Sequence, residues 1–162
     1  MVCIIIEIII GTEIRGGLDI GRKENPLVEG VILLKMLGPF KYIHTISRQK
    51  EIDILEKQET GCNYLIQVNI DNDPNKSGVT KDEVLNFYEY CIEKKITPAG
   101  LMTIPDINSD PKIVFSEMQQ INDKLIMDYG YKGELSMGMS NDYEVALDYG
   151  ATIVRIGTKL FT

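Results

Sequence analysis

From residue 40 onward, short apolar segments alternate with helical ones, and this alternation restricts the fold more than any other feature. Residues 41–46 read as a strand, and Ser47 as the cap of a helix running to about residue 58, with Ile52 and Leu55 on one face. Residues 64–70 form a second strand, followed over 71–78 by a loop rich in Asp, Asn, Pro and Gly. Thr80 and Glu83 have capping-box spacing, and Val84, Phe87, Tyr88, Cys91 and Ile92 then recur at helical intervals. Residues 98–104 make a third strand closed by Pro105. Residues 109–129 make a long helix with Val114, Met118, Ile121 and Leu125 as its buried stripe. A fourth strand at 134–139, a short helix at 141–149 and a fifth strand at 152–156 complete the series. Such a series predicts a parallel sheet with right-handed crossovers, either a barrel or an open doubly wound sheet.

The first 40 residues are less regular. Residues 1–10 are apolar apart from Glu7, too short a run to span a bilayer and without the flanks of a signal peptide, so a buried strand is expected. Residues 11–21 are glycine-rich, and 24–40 offer one weak strand at 31–34. Seven strand candidates result, whereas a complete eightfold barrel needs about 250 residues and at least about 200. The expected fold is therefore α/β, an incomplete TIM-type (β/α) barrel in one domain. Residues 1–36 are its degraded or divergent part and 37–162 its regular part.

A net charge of −7 argues against nucleic acid and anionic membranes as partners. Cys3, Cys62 and Cys91 are odd in number and widely spaced, which suggests neither a disulfide framework nor a zinc site and suits a reducing cytoplasm. His44 is the one histidine, expected to be packed and hydrogen-bonded rather than catalytic, and too isolated for a metal centre. No Ser-His-Asp set, P-loop or G-x-G-x-x-G is present, and no cysteine has an evident activating partner.

The chemistry concentrates near the C-terminal end. Leu135-Ser-Met-Gly-Met-Ser140 and Thr152-Ile-Val-Arg-Ile-Gly-Thr158 are apolar strands that run into small-residue turns. Outward N–H groups at such turns receive phosphate, and β/α barrels commonly form a phosphate site from their last two strand-end loops. Arg155 alternates with Val154 and Ile156, so in a barrel it points inward, where it needs an anion or a carboxylate.

Five segments lie in order and spacing like those of one family: Ile66-Gln-Val-Asn69, Lys76-Ser-Gly78, Gly100-Leu-Met-Thr-Ile-Pro105, Leu135-Ser-Met-Gly-Met-Ser140 and Val154-Arg-Ile-Gly-Thr158. The chain resembles the pyridoxal-phosphate homeostasis proteins, single-domain relatives of the alanine racemase barrel domain, over roughly residues 37–161. Ile43-His-Thr-Ile46 fits as well. The resemblance implies binding of pyridoxal 5'-phosphate (PLP), a place in vitamin B6 balance and no catalytic residue. It assigns Ser140 to the phosphate, Gly157 and Thr158 to the last phosphate-binding turn, and Arg155 to the pyridine nitrogen. Helix capping by Ser140, a strand-ending role for Gly157 and a structural salt bridge for Arg155 stand as the plain alternatives.

The family's covalent lysine ends its first strand; registering back from Leu18-Asp-Ile-Gly21 and Glu24-Asn25 puts Glu7 near that position. No counterpart of the family's third strand lies between Gly30 and Leu37, and the helix before its first strand is missing. The expectation is a shortened homologue that binds PLP weakly and without a covalent bond. Its alternatives are a non-binding remnant and, with least support, a PLP-dependent amino-acid racemase. Asn69 and Met102 are expected to line the pocket or pack in the core, Met137 and Met139 to fill space around it, and Lys76 to sit in a solvated loop.

Overall fold

The computed structural model describes residues 3–5, 42–57 and 61–156. Its elements in chain order are β1 (Cys3–Ile5), β2 (Tyr42–Ile46), α1 (Gln49–Leu55), β3 (Asn63–Asn69), β4 (Val79–Thr80) and α2 (Val84–Glu93). Then follow β5 (Gly100–Met102), α3 (Pro111–Tyr129), β6 (Glu134–Ser136), α4 (Tyr143–Asp148) and β7 (Ile153–Arg155). The sheet order is β1-β7-β6-β5-β3-β2, with the two-residue β4 added to β3, and every described pairing is parallel. This is part of a TIM-type barrel, an arc of parallel strands backed by helices, as the alternation predicted. The weak strand expected at 31–34 lies outside the described residues.

Strand alternation divides the side chains between two faces. Ile66, Val68, Leu101, Leu135 and Val154 point outward and join one core with Ile52 and Leu55 of α1, Phe87 and Cys91 of α2, and Phe115, Met118 and Leu125 of α3. Leu65, Met102 and Ile153 point the other way and form a small inner cluster, with Tyr42 packed against it. Burial of one large apolar side chain contributes roughly 1.5–3 kcal/mol, so the outer core supplies most of the cohesion.

The helices begin and end for local reasons. The Asp110 carboxylate accepts the Lys112 N–H at the start of α3, Pro111 occupies the first turn, and Gly130 closes the helix at φ 62°. At α1 the expected cap moves by one residue: Arg48 is the N-cap, and the Glu51 carboxylate reaches back to accept the N–H groups of Ser47 and Arg48. The Thr80–Glu83 capping box does not form. Thr80 ends β4, its hydroxyl donates to the Glu83 carboxylate, and α2 starts one residue later. Ile92 belongs to the outer part of α2 and is 41% exposed, contrary to the stripe expected for it.

Gly100 permits the closest approach in the sheet. A Cβ there would lie 1.9 Å from the carbonyl oxygen of Glu134, its partner on β6. No flexible side chain stands at that point to give way. Gly100→Ala is expected to lower unfolding free energy by at least about 2 kcal/mol, read as an earlier urea midpoint. An unchanged midpoint would mean that β5 and β6 separate freely here.

Candidate functional site

The inner face of the arc carries polar groups where an ordinary core would be apolar. Tyr42 and His44 come from β2, Glu134 and Ser136 from β6, and Arg155 from β7, each on the alternate set of its strand. The Tyr42 hydroxyl donates to Glu134 Oε1 at 2.9 Å, and Lys132 pairs with the same carboxylate. Nearer the carboxyl ends, Arg155 is 2% exposed and Ser136 fully buried. Arg155 Nη1 donates to Ser136 Oγ at 2.8 Å and to the Ser136 carbonyl at 3.2 Å, while Nη2 donates to the Thr103 carbonyl at 3.1 Å. The cation is thus solvated in part by main-chain dipoles and a hydroxyl, partners that sequence spacing does not reveal.

His44 joins the same group, with Nδ1 at 3.0 Å from Ser136 Oγ and its ring edge-on to Tyr42. Nε2 is buried, with no hydrogen-bond partner among the described residues. Burial, and then the Arg155 charge, lower the pKa of His44 from 6.5 to about 4 against a smaller opposing pull from Glu134, so the ring is neutral at pH 7. A packed, hydrogen-bonded histidine was the expectation. Its part in the arginine's surroundings was not.

The carboxyl-end loops carry a second cluster. Asp71, just after β3, accepts the Asp106 N–H at 2.7 Å and the Ser109 hydroxyl at 2.5 Å. Lys76 Nζ lies 3.6 Å from both the Asp71 and Asp106 carboxylates and 3.4 Å from the Ile104 carbonyl. Lys76 is therefore a tie between the loops after β3 and β5, not the solvated side chain its surroundings in sequence suggest. Asn69 holds its own loop by donating to the Asp73 carbonyl and accepting the Asp73 N–H. Met102 is buried in the inner cluster and Met137 in the outer core.

The turn after β6 is shaped by Gly138, whose φ is 91° and whose absent Cβ would meet Ala146 and Tyr143 of α4. Ser140 lies half-buried in the turn that follows. It is not the helix cap: α4 begins at Tyr143 with Asp142 as N-cap, and the Asp142 carboxylate accepts the Met139 N–H at 2.6 Å. Glu7, Gly157 and Thr158 lie outside the described residues. β1, two positions before Glu7, pairs with β7 in the register Ile5↔Arg155. Among the described residues no three His, Cys, Asp or Glu side chains gather as a metal site. Burial pushes the Cys91 thiol up to about 12, which removes it as a nucleophile near neutral pH. No described helix is long and apolar enough to cross a membrane.

Residues 33–162 match the family described as "Alanine racemase, N-terminal domain". The pyridoxal phosphate homeostasis protein of Aquifex aeolicus is 37% identical over 135 residues, covering 78% of this chain and 59% of that protein. Its counterpart in Vibrio cholerae is 34% identical over 130 residues, covering 75% and 55%. The chain thus spans somewhat under two thirds of the length of these relatives. Among solved structures, PipY of Synechococcus elongatus with PLP bound superposes with a TM-score of 0.66 at 22% identity, over 88% of this chain and 68% of that one. PipY without PLP gives a TM-score of 0.65 at 26% identity, over 76% and 62%.

The buried histidine makes stability depend on pH in a definite direction. Its pKa falls from 6.5 to about 4 on folding, so its contribution is complete above about 6.5 and is lost as pH drops towards 4. In that window the unfolded chain takes up the proton first. His44→Gln should flatten this part of a stability–pH profile measured by urea denaturation. An unaltered slope would mean that His44 titrates alike in both states.

Proposed function

The chain belongs to the alanine racemase N-terminal-domain family, and on that footing we propose that it binds pyridoxal 5'-phosphate without a covalent bond, in the manner of a vitamin B6 homeostasis protein. The observation that carries this reading is Arg155, a guanidinium held inside the sheet at the carboxyl end of its last described strand. Carboxyl ends are where β/α barrels place their ligands. The buried Nε2 of His44, without a partner among the described residues, also fits an interior that takes a polar occupant.

In this reading Ser140, Gly157 and Thr158 hold the phosphate through N–H groups and hydroxyls, and Arg155 faces the pyridine nitrogen. An arginine there keeps that nitrogen unprotonated, because its own pKa is far above neutrality. The bound cofactor supplies an aldehyde and an electron sink, and the sink is weak without the ring proton. That favours retention over catalysis, and no residue is assigned a catalytic role. Glu7, near the family's lysine position, cannot bond to an aldehyde carbon and repels the anionic cofactor, so affinity is lower than a lysine would give. The Asp142 carboxylate beside the phosphate turn acts in the same direction. Nucleic acid and membrane have no place in this reading, and the cytoplasm is its compartment.

Equilibrium dialysis with PLP tests it, beside Glu7→Lys and Ser140→Ala. The natural chain should retain PLP and gain thermal stability with it, without the visible band of a lysine-bound cofactor. Glu7→Lys should acquire that band, and Ser140→Ala should bind about fivefold more weakly through loss of one hydrogen bond. Failure of both the natural chain and Glu7→Lys to retain PLP would replace this reading with that of a non-binding remnant. A visible band in the natural chain would place a reactive lysine elsewhere.

A further inference from the structure

The function proposed above gives no role to the Ser136 hydroxyl or to Nδ1 of His44, yet both stand beside Arg155. Arg155 Nη1 donates to Ser136 Oγ at 2.8 Å, and His44 Nδ1 lies 3.0 Å from the same oxygen. A guanidinium nitrogen only donates, so Ser136 Oγ is the acceptor on that side. Its single proton turns away from the cation, and the lone pair of His44 Nδ1 is the acceptor within reach. The ring then carries its own proton on Nε2.

The opposite arrangement, with the proton on Nδ1, makes the serine hydroxyl accept twice and removes Nδ1 as the acceptor for its own proton. A doubly protonated ring is worse, because it sets a second positive charge beside Arg155. The charged and titratable groups facing the ring are Arg155 from β7, Glu134 from β6 and Tyr42 from β2. Of these, Glu134 is engaged through Oε1 by Lys132 and the Tyr42 hydroxyl, while its buried Oε2 has no hydrogen-bond partner among the described residues.

We infer that His44 and Ser136 are positioning residues for Arg155: the neutral ring holds the serine hydroxyl, and the hydroxyl with the Ser136 and Thr103 carbonyls fixes the guanidinium plane. The geometry of this relay stands without a ligand. Its consequence, a preset donor for a ring nitrogen, rests on the PLP reading. Preorganised side chains need such supporting partners, since a loose donor spends binding free energy on being ordered. The serine is reached through the alternation of Glu134-Leu-Ser136, and the histidine through the strand on the far side of β3. Three strands thus set one side chain.

His44 is the chain's single histidine, so 15N-histidine labelling reports on it alone. The ligand-free spectrum should show Nδ1 unprotonated and Nε2 protonated at neutral pH. The Arg155 side-chain resonances should be sharp in the natural chain and in His44→Asn, whose amide oxygen can stand where Nδ1 was. They should broaden in His44→Leu, which removes the acceptor and keeps the bulk. PLP affinity should then hold within about twofold in His44→Asn and fall about tenfold in His44→Leu, the loss expected for a hydrogen bond to a charged group's partner. A protonated Nδ1, or Arg155 signals equally sharp in His44→Leu, would overturn the inference. Should the natural chain bind no PLP at all, the proposed function fails while the tautomer and the Arg155 signals still decide the relay.

Discussion

A guanidinium that is almost wholly buried has to be given acceptors, and the carboxyl ends of this sheet are arranged to supply them. β5, β6 and β7 are each three residues long, and they stop at the level where Arg155 enters. The Ser136 carbonyl, at the end of its strand, accepts both the Thr103 N–H and Arg155 Nη1, using both lone pairs. The Thr103 carbonyl, one residue past β5, takes Nη2, while the Thr103 hydroxyl donates to Val68 on β3. One cation therefore joins the ends of β7, β6 and β5. Without those carbonyls, a charge in this interior would cost several kcal/mol.

The division of faces explains how an apolar fold accommodates this polar centre. The outer core, sealed by the helices, supplies the cohesion. Among the described residues the inner face has only a small apolar cluster, and its other positions there carry polar groups. The loop tie through Lys76, Asp71 and Asp106 adds a rim above that face, since it joins the loops after β3 and β5 by charge and hydrogen bonds together. Exposed ion pairs contribute little, but these side chains are only partly exposed and share a backbone N–H and a serine hydroxyl.

Period and composition made the architecture legible. Ile66, Val68, Leu101, Leu135 and Val154 lie on the helix-facing side as alternation requires, and the stripes of α2 and α3 were readable apart from exposed Ile92 and half-buried Ile121. Strand ends were overestimated at residues 103–104 and 137–139: the last N–H groups to donate across strands there are those of Thr103 and Met137, after which Ile104 is 40% exposed and Gly138 turns the chain at φ 91°. Caps were misread where a side chain found a nearer partner: Glu83 met the Thr80 hydroxyl, and Asp142 took the role open to Ser140. Arg155 could be singled out as an inward cation, but its solvation by Ser136 and Thr103 could not, because those contacts depend on which strands become neighbours. Lys76 looked solvated for the same reason, since Asp106 lies on another loop. Glu7, Gly157 and Thr158 fall outside the described residues, so the resemblance alone carries them.

The pairing of β1 with β7 has a kinetic meaning. Every other neighbouring pair in the sheet is joined through one crossover or loop, whereas Cys3–Ile5 meets Ile153–Arg155 across nearly all of the intervening sequence. Closing so long a loop has the highest entropic cost of any contact in the sheet, and contacts of that kind slow folding most. On the ribosome β1 emerges ahead of the other described strands, whereas β7, its described partner, is made after all of them. The body from β2 to β7 can assemble by successive crossovers meanwhile, so the β1–β7 pairing forms last among those described.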